Sequence, residues 1–240
     1  VEKNDVKQQS VALRLIAYAE DLGNKHPEAL GHISEAKALA ESIGAVEEII
    51  PCNNLLGKVL MYLHDLPAAL KIFQENALLA EQTGNQIMEA DALLTQAVVH
   101  FRNNDFDTCI PLFQKSLALA RKIGYDAGVG RALLNLSASY IEIHEYEAGL
   151  NISAEAIPFF EKNGNLIDLA HSISNNGTSC VALGRYAEAE ERFIEVRKIR
   201  RELNDIAHLP NSFISTAEVY LLTGRFAEAE RDLMEATKLV

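Results

Sequence analysis

Gly184-Arg185-Tyr186-Ala187-Glu188-Ala189-Glu190 returns as Gly224-Arg225-Phe226-Ala227-Glu228-Ala229-Glu230, 40 residues later. Steps of 40 back from Phe226 land on Tyr186, Tyr146, Phe106, Leu66 and His26. Three residues further along, the same walk meets Ala229, Ala189, Gly149, Cys109, Ala69 and Ala29, all of them small. Another walk meets Gly44, Gly84, Gly124, Gly164 and Asn204. A fixed period of this size marks stacked structural repeats, each of which buries its apolar face on its neighbours.

Within each period the apolar residues fall at helical spacing, and no stretch alternates as a strand does. The spacing predicts helices over about 5–21 and 27–43, then 46–63 and 66–83, 86–103 and 106–123, 126–143 and 146–163, 166–183 and 186–203, and 206–223 and 226–240. The glycines at 44, 84, 124 and 164 sit where a helix ends left-handed, a conformation glycine adopts at little steric cost. Asn204 is the usual substitute at the fifth place. The turn inside each pair reads Asn24, His64, Asn104, His144, Gly184 and Gly224, types that tolerate positive φ, so His64 and His144 read as caps rather than ligands. The aromatic at 106, 146, 186 and 226 is expected to plug its turn. Met61, Phe101, Ile141, Val181 and Leu221 form an apolar row between successive first helices. The last helix meets no glycine before Val240, so it reads as unfinished. That predicts either a continuation of the chain or pairing of this edge with another subunit.

The pattern resembles the tetratricopeptide repeat, whose motif runs W-x2-L-G-x2-Y, then A-x3-F. Leu56-Gly57 holds the L-G pair, Gly177 the same glycine place, and Tyr140 and Tyr220 the tyrosine place. Leu13, Leu93, Leu133, Ile173 and Phe213 stand at the tryptophan, and Ala69-x3-Phe73, Cys109-x3-Phe113 and Ala189-x3-Phe193 match A-x3-F. The period of 40 exceeds the usual ~34 and the closing proline is missing. The chain is therefore similar to the long-repeat variety of bacterial regulators and kinesin light chains. The resemblance implies an all-α, right-handed α-solenoid of about six helix-turn-helix repeats. They fall at about 5–44, 45–84, 85–124, 125–164, 165–204 and 205–240, a single superhelical domain within a longer chain.

The resemblance also places the first helix of each pair along a concave groove. Its exposed face carries Pro51, Leu55, Lys58 and Tyr62; Asp91, Thr95, Val98 and Arg102; Arg131, Asn135, Ala138 and Glu142; His171, Asn175, Thr178 and Ala182; and Asn211, Ser215, Glu218 and Leu222. Packed helices lie roughly 8–10 Å apart, which sets Asn135 and Asn175 side by side. Two amides in line offer donors and acceptors to an extended backbone. The groove candidates are Lys58, Arg102, Arg131, Asn135, His171, Asn175 and Asn211, a neutral-to-positive lining in a chain of net charge −12.

Two functions fit this reading. One is a module that binds a peptide or protein partner in the groove, as the sensor or regulatory region of a larger signalling protein. The other is a self-associating scaffold that oligomerises through its ends or outer face. The acidic balance speaks against nucleic acid or an anionic membrane as partner. No apolar run approaches the ~18 residues of a membrane span. No phosphate loop, H-E-x-x-H or nucleophile elbow is present, so neither catalysis nor a metal or cofactor is expected. Cys52, Cys109 and Cys180 are far apart and odd in number, and Cys109 and Cys180 hold buried slots. That suits reduced thiols in a cytoplasmic protein.

Overall fold

Repeat units that each join two helices by a tight turn account for the whole of the computed structural model, which describes residues 2–239. The helices are α1 (Glu2–Leu22), α2 (His26–Ser42), α3 (Val46–Tyr62), α4 (Leu66–Thr83), α5 (Gln86–Arg102), α6 (Phe106–Lys122), α7 (Asp126–Glu142), α8 (Tyr146–Asn163), α9 (Leu166–Ala182), α10 (Tyr186–Glu202), α11 (Leu209–Leu222) and α12 (Phe226–Thr237). No strand occurs among the described residues. The chain divides into two compact units, Val1–Lys115 and Ser116–Val240, and the division falls inside α6. In the first, α1 packs on α2, α2 on α3, α3 on α4 and α4 on α5, with α1 also against α3. In the second the same succession runs from α7 to α12, with α7 also against α9.

The turns form as their residues require. Asn24, His64, Asn104, His144, Asn204 and the glycines at 44, 84, 124, 164, 184 and 224 all have φ between 51° and 76°. The residue after each then donates its N–H back across the helix end, as Ala45 does to Ala40 O at 3.0 Å and Asp65 to Leu60 O at 2.9 Å. This is the Schellman arrangement, which satisfies otherwise orphaned carbonyls.

The small-residue walk is buried throughout: Ala29, Ala69, Cys109 and Ala189 are fully enclosed, and Gly149 and Ala229 nearly so. Gly57 shows why the L-G pair carries a glycine. A Cβ there would lie 2.3 Å from Phe73 Cζ, the aromatic of A-x3-F on the next helix. Gly177 stands likewise 2.7 Å from the Phe193 ring.

Three expectations are corrected. The eleventh helix begins at Leu209, not 206, because Pro210 lies in its first turn, lacks an N–H, and disfavours helical geometry before it. Residues 206–208 form a turn instead, with His208 N donating to Asp205 Oδ1. The last helix stops at Thr237, while Val240 lies outside the described residues. Phe226 does not plug its turn as Phe106, Tyr146 and Tyr186 do. It is 68% exposed, and Leu221 of the apolar row is 49% exposed.

Candidate partner-binding face

In the Ser116–Val240 unit the first helices α7, α9 and α11 bury one side in the core through Leu133, Leu136, Ile173 and Phe213. The candidate residues occupy the other side. Arg131, Asn135, His171 and Asn175 are half-buried, and Asn211 is exposed. Asn175 Nδ2 crosses from α9 to α7, donating to Ser137 Oγ at 2.9 Å and to Leu134 O at 3.4 Å. Asn135 Nδ2 instead donates to Arg131 O on its own helix at 2.8 Å. Each amide therefore spends a donor inside the protein, and neither oxygen is buried without a partner. Arg131 Nη2 donates to Tyr125 Oη at 2.7 Å and its guanidinium lies 5.8 Å from the centre of that ring. The arginine is held in place by the turn before α7.

His171 stands edge-on to His208, ring centres 5.8 Å apart. Burial chiefly, then the positive charges of Arg200 and His208, depress the His171 pKa below the ordinary histidine value, against the opposing pull of Asp168 and Asp205. Arg200 is itself only 5% exposed and donates from Nη1 to His208 O at 2.6 Å. Burial lowers its pKa too. Sequence reasoning missed Arg200 and His208. A signal was present: the walk through 40, 80, 120 and 160 meets Ala, Ala, Ala and Phe, all buried, before it meets arginine.

In the Val1–Lys115 unit Lys58 is committed to a buried carboxylate. Its Nζ lies 2.7 Å from Asp21 Oδ2, and Asp21 is 4% exposed. Asp21 occupies the apolar row of Met61 and Phe101, and His26 holds the place of Leu66 and Phe106. His26 Nδ1 is 3.2 Å from Asp21 Oδ1, and its ring stacks on Tyr62 at 4.6 Å. Arg102 is exposed, its guanidinium 5.6 Å from the centre of the Tyr62 ring. The two cations the sequence placed on the approach thus converge on one tyrosine.

Among the described residues no three His, Cys, Asp or Glu side chains gather as metal ligands, and no helix is long and apolar enough to cross a membrane. Cys52, Cys109 and Cys180 are free and buried. The Glu-rich runs lie on second helices, where Glu188 and Glu228 pair with Arg185 and Arg225, and Glu190 also pairs with Arg225.

Solved structures share this architecture. BtubC (BKLC) from P. vanneervenii is 17% identical with a TM-score of 0.72, over 99% of this chain and 89% of that one. A signal transduction ATPase with numerous domains and a tetratricopeptide repeat sensor, from Pyrococcus horikoshii, is 18% identical with a TM-score of 0.75. That match covers 97% of this chain and 36% of that one. A Rap protein complexed with competence and sporulation factor is 14% identical with a TM-score of 0.72, over 99% of this chain and 65% of that one. At these identities the likeness is one of fold. No curated protein matches the chain. The family model described as tetratricopeptide repeat matches residues 88–162 and 168–240. With more than half of its length matched, and with paired helices, left-handed turns and glycine–aromatic packing to carry the match, the chain belongs to the tetratricopeptide-repeat family.

Proposed function

We propose that this chain is a protein-interaction module whose first-helix face in the Ser116–Val240 unit captures an extended segment of a partner protein. The supporting observation is the pair of amides on α7 and α9. Each has its nitrogen bonded internally, Asn135 to Arg131 O and Asn175 to Ser137 Oγ, and neither amide oxygen is buried without a partner, so each is open to serve as an acceptor. An extended segment presents N–H donors at regular intervals, and preorganised acceptors lose little entropy in meeting them. Arg131, His171 and Asn211 supply polar contacts on the same face. Lys58 and Arg102 belong to the other unit and serve its packing around Tyr62. The fold neighbour complexed with competence and sporulation factor is in keeping with an interaction role. Three buried free thiols suit a reducing compartment such as the cytoplasm.

Affinity capture with the chain as bait, read by mass spectrometry, tests the proposal. Asn135→Ala removes one amide of the pair and only an intrahelical side-chain hydrogen bond, so it should deplete the captured partner while leaving the fold intact. A captured set unchanged by Asn135→Ala and by Asn175→Ala together would refute the face. A second reading rests on Leu221, Phe226, Leu233 and Met234, exposed by 49, 68, 40 and 55%. Patches of this kind mark association surfaces. If Leu233→Asp, and not the amide variants, abolishes capture and lowers the sedimentation coefficient, self-association is the better account.

A further inference from the structure

Position 200 is a place where the repeat calls for no charge. Its counterparts Ala40, Ala80, Ala120 and Phe160 are all at most 1% exposed. Arg200 fills the same buried slot at 5% exposure. It meets the turn at 206–208 that precedes the late start of α11. One of its five N–H donors is spent on His208 O. Among the described residues no carboxylate lies within ion-pair distance of its guanidinium, because Asp205 turns to His208 Nδ1 at 2.9 Å. None of the remaining Arg200 nitrogens is both buried and unpartnered, so they reach solvent. The residue whose carbonyl Arg200 holds is the one whose ring meets His171 on the partner-binding face. A mostly buried guanidinium with one carbonyl partner and no counter-ion keeps donors free for an anion that reaches it from solvent. The charges that bear on the place are Asp168, Asp205, His171 and His208, and the two carboxylates do not close on the arginine.

We propose that Arg200, with His171 and His208 beside it, forms an oxyanion site that receives a carboxylate of the captured segment. The source of the carboxylate rests on the partner-binding reading above, while the site itself does not. Near neutral pH a depressed His171 pKa leaves that imidazole uncharged, so it adds a ring N–H donor, not a second charge, to the Arg200 guanidinium. Bringing an anion in must raise the His171 pKa, since proton and anion binding are linked.

Acetate and inorganic phosphate serve as probes, with sodium chloride at equal ionic strength as the control. The full chain is followed by NMR of the histidine rings. Acetate should shift the His171 and His208 resonances saturably and move the His171 titration midpoint upward. Arg200→Gln should weaken acetate binding at least tenfold and abolish that movement. Arg200→Ala, which restores the residue found at 40, 80 and 120, is the second variant and should fold and fail in the same way. Equal shifts from chloride, or phosphate binding with no acetate binding, would overturn the proposal. So would acetate binding unchanged in both variants. If Asn135→Ala abolishes partner capture while Arg200→Gln leaves it untouched, the face stands and the carboxylate role falls. If acetate binds through Arg200 and no partner answers to the amides, the anion site stands and the partner-binding reading falls.

Discussion

Two helix-interior glycines should respond to alanine in opposite directions. Gly31, inside α2, has no heavy atom within 4 Å of an added Cβ. Gly57, inside α3, would place that Cβ 2.3, 2.5 and 2.9 Å from three atoms of the Phe73 ring. Alanine in an exposed helix interior gains about 1 kcal/mol over glycine. Gly31→Ala should therefore stabilise by about that amount. At Gly57 the same gain meets a clash. Carbon atoms pack best at about 3.5–4.0 Å, so the ring must retreat by more than ~1 Å. Phe73 is 1% exposed and has nowhere to go. Overpacking of this kind costs about 1–3 kcal/mol, and relief by backbone shift would disturb the α3–α4 contact that the small walk at Ala69 depends on. The net expectation is a loss of up to about 2 kcal/mol, against the gain expected for Gly31→Ala. Urea unfolding followed by circular dichroism measures both. A cycle with Phe73→Leu separates the clash from propensity, because the smaller side chain should recover most of the Gly57→Ala loss. If Gly57→Ala stabilises as Gly31→Ala does, or if Phe73→Leu fails to couple with it, the steric reading of the L-G pair is wrong.

Three further outcomes are expected. Burial, helped by the Glu48 charge, raises the Cys52 pKa to about 11. The thiol should ignore a thiol-exchange reagent at pH 8 in the native state and react once the chain is unfolded in urea. His171 is depressed in the folded state, so between that lowered value and the ordinary ~6.5 the unfolded chain binds more protons. Its contribution to stability is thus full above ~6.5 and is lost as pH falls through this window, and the difference in urea midpoint between the parent and His171→Gln should shrink with falling pH in the same window. Arg197 Nη2 and Thr216 Oγ1 both donate to Asp232 Oδ2, at 2.6 and 2.5 Å, with the Arg197 and Asp232 side chains 14 and 7% exposed. Asp232→Ala should cost about 3–5 kcal/mol by stranding the arginine, seen as accelerated amide exchange in α11 and α12, whereas a joint apolar replacement of all three should cost far less.

The period made the fold legible because each of its positions answers to one physical demand. Positive φ selected Gly, Asn and His at the turns, and close helix contact selected small residues at 29 through 229. The same logic misjudged what the period does not encode. The delayed start of α11 follows from Pro210, a local event inside one repeat. Phe226 is 68% exposed although it holds the place of Phe106, Tyr146 and Tyr186, a difference the residue type cannot reveal. On the candidate face, residue types and helix side could be read from spacing, but the direction of each amide could not. Asn175 reaches Ser137 on α7 and Asn135 folds back on Arg131 O, a difference set by the neighbour's serine. Lys58 looked free because its partner, Asp21, sits at a position the repeat marks as apolar.

That last case separates two kinds of departure from the repeat. Asp21 breaks an apolar row, and the break is answered: His26 departs at the adjoining turn, and Lys58 closes on the carboxylate. Thr216 and Asp232 stand at positions that hold Leu56, Gln96, Leu136 and Asn176, and His32, Ile72, Leu112, Ile152 and Arg192, in other repeats, and Arg197 bonds both. Polar groups that arrive together share charge partners, so each lowers the desolvation cost of the next, even though Asp21 Oδ1, His26 Nδ1 and Arg197 Nε stay buried without a hydrogen bond. Arg200 arrives alone. Its single internal bond is to a backbone carbonyl, and its nearest acid, Asp205, is already turned to His208. A mostly buried charge with no counter-charge in its own chain, whose remaining donors reach solvent, is placed to hold an anion that the protein binds. The lack of an ion-pair partner, which Lys58 and Arg197 both have, directs the first experiment to Arg200 rather than to the more exposed cations of the same surface.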